Sequence, residues 1–184
     1  NVSATSDLAD LSAQPAMITE WFPETKKVGL LFCSAEPNSR YQIEEVAKYL
    51  ADKGIESKEF AFTDTNDVTA VTQAAADYAD VIYIPTDNTA AANTEAIANV
   101  LIPAKVPAIC GEEGICSGCG VATLSISYYD LGVTTGKMAA KILTGEADIS
   151  TMAIEYTNAT KKYNAATCDA LGIKPLDGYT AIGE

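Results

Sequence analysis

Residues 81–89 read VIYIPTDNT, an unbroken apolar run that passes directly into a polar loop. A short run rich in branched and aromatic side chains, bounded by turn residues, predicts a strand buried on both faces. Ligands of parallel sheets bind at the carboxyl ends of the strands. This stretch therefore predicts a parallel sheet and also the edge of that sheet where a binding site would lie.

Comparable apolar runs lie on both sides of this stretch. They occupy residues 28–33 (VGLLFC) and 106–110 (VPAIC), with a more exposed candidate at 56–62 and another at 121–127. Strand starts near 28, 56, 81 and 106 recur every 25 to 28 residues, a length typical of a β-α repeat with right-handed crossovers. The fold class predicted is α/β, a parallel sheet with helices on both faces.

Apolar residues at the helical period separate these strands. The predicted helix before the first strand includes Leu11 and ends at Pro23. The next helix is predicted to end at Gly54, the one after it to begin at the cap Asn66 or Asp67, and the following one to end at Pro103. After residue 127 the pattern changes. It predicts a long helix that ends at Gly145, a strand at 152–156, a last helix over roughly 160–171 and an irregular end.

Composition excludes several classes of function. The net charge of −13, with 25 acidic against 12 basic residues and no basic cluster, would repel nucleic acid. No apolar run approaches the 18 or so residues of a membrane span. Histidine is absent, which removes the usual general base and the commonest metal ligand. We therefore expect neither a cofactor nor a metal site.

The stretch GICSGCG, residues 114–120, places Cys116 and Cys119 in a C-x-x-C spacing. Such a pair can form a redox dithiol or half of a zinc site. A zinc site would need two further ligands, and a dithiol would sit at a helix N-terminus, whereas a strand is predicted to follow. We interpret the stretch as a loop without function, and expect that serine at both positions leaves folding almost unchanged.

Polar loops follow each predicted strand, at 34–39, 63–67, 86–89 and 111–114. Any one of their Ser, Asn, Asp or Thr residues can be an ordinary helix cap. Their convergence on one sheet edge favours a ligand site as well. Asn38 or Ser39 with free N–H groups suits a carboxylate, while Asp87 and Glu112 suit an ammonium. Together they suggest an amino-acid receptor.

The combination of VIYIPTDNT, GEEG at 111–114 and ISYYDLGVTTGKMAAKILTG at 126–145 resembles a known family. It is similar to the substrate-binding proteins of ABC importers of the tryptophan/tyrosine type, which have the type I periplasmic-binding-protein fold. Further matches are Thr5-Ser6-Asp7, Lys27-Val28-Gly29 and SAEPNSRY at 34–41. The similarity runs from about residue 3 to 175.

The resemblance implies two lobes that close on a small ligand, commonly an aromatic or related amino acid, without catalysis. It also implies an ABC permease partner and an extracytoplasmic location, as a periplasmic protein or a lipid-tethered lipoprotein on the cell surface. Carried over by position, the expected ligand contacts are Ser6, Asp7, Ser34, Glu36, Asn38, Ser39, Asp87, Asn88, Glu112, Tyr128 and Asp130.

The family carries a stretch of domain size, roughly a hundred residues, ahead of the T-S-D motif, and it builds most of the first lobe. We therefore expect residues 1–26 to form a hinge segment and leading helix, and 27–127 a complete α/β lobe. Residues 128–175 would return to the absent first lobe as helix, strand and helix, and 176–184 would be an irregular tail. A chain with half a cleft is expected to self-associate and to bind ligand weakly.

Two other classes of function stay open on the sequence. A ligand-sensing module of the same fold within a regulator would carry a catalytic or DNA-binding segment elsewhere in its gene. A small α/β enzyme is disfavoured because neither histidine nor a nucleophile motif is present.

Overall fold

A seven-stranded sheet organises most of residues 1–7 and 13–183, the part of the chain that the computed structural model describes. The strands are β1 (Thr5–Ser6), β2 (Lys27–Cys33), β3 (Glu56–Phe62), β4 (Val81–Ile84), β5 (Ala108–Cys110), β6 (Ala122–Ile126), β7 (Glu155–Tyr156), β8 (Ala159–Tyr163) and β9 (Thr180–Ala181). The large sheet has the order β3-β2-β4-β5-β6-β8-β9, and β1 pairs with β7 in a separate two-stranded sheet.

The five strands from β2 to β6 pair in parallel. Each coincides with one of the five apolar runs of the sequence, and Val28 lies opposite both Ser57 of β3 and Val81 of β4. The α/β class and the parallel sheet are therefore confirmed. Parallel pairing throughout brings the ends of β2, β4, β5 and β6 to one edge.

Helices cover both faces of this sheet. They are α1 (Ala13–Trp21), α2 (Pro37–Asp52), α3 (Val68–Tyr78), α4 (Asn88–Ala91), α5 (Thr94–Ala104), α6 (Glu113–Cys119), α7 (Tyr128–Leu143) and α8 (Ala165–Leu171). One apolar core joins the sheet to α3, α4, α5 and α6, and a second joins the other face to α1, α2 and α8. Helix α7 contributes to neither core.

The predicted helix ends are correct in part. Gly54 follows the end of α2 with a φ of +72°, as a helix-terminating glycine does. Pro103 lies inside α5, which continues to Ala104, so the helix ends one residue later than predicted; a proline at this point removes one hydrogen bond of the last turn. Asp67 precedes α3 but makes no side-chain capping bond there. Leu11 lies outside the described residues.

The interpretation of CSGC as a loop is wrong, because Glu113–Cys119 is helix α6. The Glu112 side chain accepts hydrogen bonds from the Gly114 and Ile115 N–H groups and so begins the helix. Cys116 and Cys119 face the core and are buried with Cys110. A helix of seven residues with two glycines gives too little periodicity for sequence reasoning to find it.

The predicted last helix over 160–171 is also wrong, because β8 occupies its first half and the helix begins only at Ala165. Strand β8 pairs antiparallel with β6, and β9 pairs with β8. Residues 159–175 therefore join the large sheet and its core instead of leaving the lobe. Of the predicted return segment, 128–156 alone stands apart from this sheet, and the predicted irregular tail contains β9.

Helix α1 is fastened to the sheet by one buried amide. Gln14 Nε2 donates to the carbonyl oxygens of Gly111 and Leu124 at 2.8 and 3.2 Å, and Gln14 Oε1 accepts from the Tyr83 hydroxyl at 2.7 Å. A buried polar group left without a partner would be costly. The helix that carries this amide is therefore held in the orientation that keeps all three bonds. The leading helix is thus part of the lobe.

Helix α7 leaves large apolar side chains in contact with solvent. Met138 is buried, whereas Leu143 is 87% exposed and Val133, Ile154 and Tyr156 are also exposed. Strands β1 and β7 flank this helix as a pair of two-residue strands, and such a small pair is stable only when other elements cover it. Within the described residues, no helix is long and apolar enough to cross a membrane.

We expect the 184-residue chain to self-associate through this surface. Each large apolar side chain left in water forgoes about 1.5–3 kcal/mol of burial. Light scattering after gel filtration should give a mass above that of a monomer, and the variant with Leu143→Glu and Val133→Glu should shift toward the monomer. A monodisperse monomer with tight amino-acid binding would contradict the expectation.

The buried thiols give a second prediction, which replaces the expectation drawn from the sequence. Cys116→Ser places a hydroxyl in an apolar core at a cost of about 1–3 kcal/mol, so the melting temperature should fall by about 2–4 °C for each kcal/mol. Ser117→Ala, on the exposed side of the same helix, is the matched control and should change it little. Equal melting temperatures for Cys116→Ser and the wild type would show that the thiol is not packed as described.

Candidate functional site

A concave region lies at the carboxyl edge of the sheet. We call its larger part the edge hollow, a cavity of about 320 Å³ lined by Thr86, Asp87, Asn88, Ala91, Glu112, Gly114 and Tyr128. The adjoining small cavity, of about 100 Å³, is lined by Asp7, Asn38, Tyr41, Gln42 and Thr86. The loops after β2, β4, β5 and β6 meet here with Asp7, which follows β1. Thr86 lines both cavities.

Asp87 lines the edge hollow but uses both of its carboxylate oxygens within the protein. Its side chain is 1% exposed, and its two carboxylate oxygens accept from the N–H groups of Cys33 at 2.7 Å and Ala90 at 2.8 Å. These bonds cap α4 and join it to the end of β2. The assignment of Asp87 to ligand contact stays a prediction: Asp87 lines the edge hollow, but each of its oxygens already accepts one N–H of the protein.

Glu36 also serves the α4 corner. Its carboxylate accepts from the N–H groups of Asn88 and Thr89, from Asn88 Nδ2 and from Thr89 Oγ1, all at 2.8 to 3.0 Å. Burial opposes ionisation, but these four bonds outweigh it and hold the pKa of Glu36 below its ordinary value. Asn88 donates one amide N–H to Glu36 and keeps its second N–H and its oxygen for other partners.

Glu112 and Tyr128 line the edge hollow, and Asp7 lines the adjoining small cavity. Burial, together with the negative charges of Asp7 and Glu112, raises the pKa of Tyr128. Glu112 is partly occupied as the N-cap of α6. The structure shows no hydrogen bond from any described residue to the Asp7 carboxylate, which is exposed.

The main chain of Thr86 is held by side chains of α2. Asn38 Nδ2, Ser39 Oγ and Gln42 Nε2 all donate to its carbonyl oxygen, at 2.9, 3.3 and 3.4 Å. Asn38 and Ser39 were predicted to bind an anion and instead use these donors within the protein. Gln42 was not predicted, because a glutamine within a helix pattern carries no signal of its partner in a distant loop.

The remaining candidates are more dispersed. Ser34 donates its hydroxyl and its N–H to the Phe62 carbonyl at 3.2 and 2.9 Å, which ties β2 to β3. Ser6 belongs to β1, opposite Tyr156 of β7. Asp130 lies in the first turn of α7, where its N–H donates to Ser127 Oγ at 3.1 Å. None of these three lines the edge hollow.

A larger cavity, of about 530 Å³, lies at the opposite edge, where β4 and β5 begin. Trp21, Phe22, Leu171 and Ile173 give it mostly apolar walls, with Lys105 and Glu24 among its residues. It receives none of the polar loops that follow the strands. Size alone does not make it the binding site, because the convergent polar groups are at the other edge.

The described residues contain no group of three or more cysteine or acidic side chains arranged to hold a metal ion. The five cysteines are free and buried. Burial, together with Cys116 and Cys119 alongside, raises the pKa of the Cys110 thiol well above its ordinary value. This thiol is therefore protonated at neutral pH and poorly reactive.

The parallel sheet with a loop-lined hollow at its carboxyl edge defines a lobe of a type I periplasmic binding protein. The model of the ABC transporter substrate-binding protein family matches residues 1–177, and the chain belongs to that family. Family members are substrate-binding proteins rather than enzymes.

Individual relatives agree with this placement. A tyrosine-binding protein of Clostridioides difficile (strain R20291) is 28% identical over 178 residues, which are 96% of this chain and 51% of that protein. A domain from Streptococcus pneumonia solved in complex with L-Trp superposes with a TM-score of 0.87 at 28% identity, covering 99% of this chain and 63% of the other.

A ligand-free, open substrate-binding protein with adhesive properties from Clostridium difficile gives a TM-score of 0.82 at 27% identity, over 98% of this chain and 62% of that one. The chain thus spans about half the length of the curated relative and less than two thirds of these structures.

The bonds to Glu36 predict a pH-dependent stability. Because its folded pKa is lowered, its contribution is fully present above the ordinary glutamate pKa of about 4.3 and is lost as pH falls through the lower folded value. Glu36→Gln should lower the melting temperature by roughly 2–4 °C at neutral pH, since a weakened cap costs about 1 kcal/mol. The gap from the wild type should close in acid.

Thermal melts across this pH range provide the measurement. Glu44→Gln, at an exposed position of α2, is the control and should show a small, nearly constant effect. A gap for Glu36→Gln that widens toward low pH would have the wrong sign for this set of bonds.

Proposed function

We propose that this chain supplies one wall of the interlobe cleft of an ABC-importer receptor that binds a free amino acid without catalysis. The observation that supports it most is the meeting of Thr86, Asn88, Glu112 and Tyr128 around one hollow at the carboxyl edge of the sheet. The family and its tyrosine- and tryptophan-related members support an aromatic amino acid as the ligand class.

The charge of this wall favours the ammonium end of such a ligand. Among the described residues, no lysine or arginine lines the edge hollow or the small cavity, whereas both cavities contain carboxylates. Asp87 uses its oxygens inside the protein. Glu112 uses its oxygens in the same way, to cap α6. Asp7, whose charge acts on Tyr128, is the acid that remains, and an ammonium beside it would gain charge-assisted hydrogen bonds.

The aromatic part of the ligand would find flat partners at the same edge. Tyr128 and Tyr41 are 51% and 50% exposed, one at the hollow and one at the small cavity. Half-exposed aromatic rings beside a polar pocket offer faces or edges against which another ring can pack. The ligand's carboxylate would be met chiefly by groups outside this wall.

The proposal extends to the setting of the whole protein. We place it outside the cytoplasm, periplasmic or lipid-tethered, delivering its ligand to an ABC permease, as its family does. In that protein, residues 128–156 would contact the other lobe through the exposed apolar side chains of α7 and β7. A ligand-sensing module of a regulator stays as the second candidate, without an observation here that favours it.

Asp7→Asn tests the assignment of the ammonium site. It should weaken binding of L-tyrosine or L-tryptophan by the full-length protein by about ten- to a hundredfold, since a hydrogen bond to a charged group contributes about 1.5–3 kcal/mol. The melting temperature should change little, because no described residue donates to this carboxylate. Isothermal titration calorimetry and thermal melts give the two quantities.

Two further variants separate binding from folding. Asp87→Asn should mainly lower the melting temperature, because one of its two buried N–H partners loses its acceptor. Asp169→Asn, on the exposed side of α8, should change neither quantity. If Asp7→Asn shifts affinity less than twofold while Asp87→Asn shifts it strongly in a stably folded protein, the two assignments must be exchanged.

A further inference from the structure

Gln42 makes an unusual set of bonds to the loop that follows β4. Its side chain is 4% exposed, and its Oε1 accepts from the Thr86 N–H at 3.1 Å while its Nε2 donates to the Thr86 carbonyl at 3.4 Å. Nε2 also donates to the Asn38 carbonyl at 3.2 Å, within the same helix. One amide therefore pairs with both main-chain polar groups of a single residue.

These side-chain bonds take the place of main-chain hydrogen bonds that Thr86 does not make with the described residues. Thr86 lies between the end of β4 and the start of α4, and neither its N–H nor its carbonyl takes part in a main-chain hydrogen bond with a described residue. Polar backbone groups that are shielded from water need partners. The first turns of α2 supply them from Asn38, Ser39 and Gln42.

Gly111 packs closely against the same loop from the side of β5. A Cβ atom at position 111 would lie 2.6 Å from the Thr86 nitrogen and 2.7 Å from the Pro85 carbonyl carbon. Because both are backbone atoms, they could not move aside without displacing the loop. Thr86 is thus held between hydrogen bonds from α2 and close contact with the end of β5.

The position of Thr86 affects the shape of both cavities. Thr86 is the residue common to both, and Asn88, two residues later, lines the edge hollow. A displacement of the Thr86 main chain would therefore change the shape of the whole wall. Gln42 itself reaches only the small cavity, and the polar atoms of its amide are used within the protein.

We propose that Gln42 is a positioning residue for the ligand wall: it sets the Thr86 main chain, and through it the shape of the hollow, without needing to bind the ligand itself. This inference rests on the proposed function, since it concerns the same site. It makes a buried glutamine on the second turn of α2 a determinant of affinity.

The experiment compares Gln42 with a buried amide elsewhere. Asn164 donates from Nδ2 to the carbonyls of Cys116 and Ser117 at 3.0 and 2.9 Å and accepts from the Thr167 N–H, at the far end of α6 from the hollow. Gln42→Met and Asn164→Leu each remove three such bonds. Affinity for L-tyrosine and L-tryptophan is measured on the full-length protein by calorimetry, well below each melting temperature.

Gln42→Met should weaken binding by about tenfold or more, whereas Asn164→Leu should stay within about twofold of the wild type despite a similar fall in melting temperature. Gln42→Glu keeps an acceptor for the Thr86 N–H but turns an oxygen toward the Thr86 carbonyl. Its affinity for the amino acid should also fall below that of the wild type. Hydrogen exchange of the Thr86 amide should be fast in Gln42→Met and slow in the wild type.

The outcomes separate the two proposals. If the wild type binds but Gln42→Met and Asn164→Leu lose affinity equally, or if the Thr86 amide stays protected in Gln42→Met, the positioning role is wrong and the receptor function stands. If the wild-type protein binds neither amino acid, the proposed function is wrong and the positioning role falls with it. Should Gln42→Met not fold, Gln42→Glu gives the same comparison.

Discussion

The buried carboxylate of Asp87 is the interaction on which the ligand edge depends. It accepts from Cys33 at the end of β2 and from Ala90 in α4, so one side chain joins two loops that no main-chain ladder connects. Glu36, in the loop after β2, accepts hydrogen bonds from the first N–H groups of α4 and so joins the same two segments a second time. These two acids close the corner between neighbouring strands, because buried N–H groups need acceptors and a carboxylate offers several.

This arrangement changes how the acidic residues of the site should be interpreted. A cluster of carboxylates at a sheet edge suggests ligand contact, but most of their capacity here is used to begin short helices whose own hydrogen bonds are few. Glu112 begins α6 in the same way. Asp7, which follows β1, differs because it caps nothing in the described structure, and that difference makes it the best candidate for a charged ligand group.

The lobe contains more than the five parallel strands and the helices that connect them. Strand β8 adds an antiparallel partner to β6, and α1 and α8 cover the face that α2 alone would leave partly open. The segment 128–156 has the opposite character, with a long helix and a two-residue strand whose apolar side chains face solvent. This contrast agrees with a chain that spans 51% of its tyrosine-binding relative and 62% and 63% of the two related structures.

The sequence alone determined the α/β class, the five parallel strands and the edge at which polar loops gather, because these follow from local periodicity and from where apolar runs end. Tertiary structure alone decided which polar residues at that edge are used in hydrogen bonds within the protein. Gln14 and Gln42 bond to residues 97 and 44 positions away, and Asp87 was turned inward by partners from two other elements. The helix at Glu113–Cys119 and strand β8 also escaped prediction, since a capping carboxylate and an antiparallel neighbour stabilise them where local propensity does not.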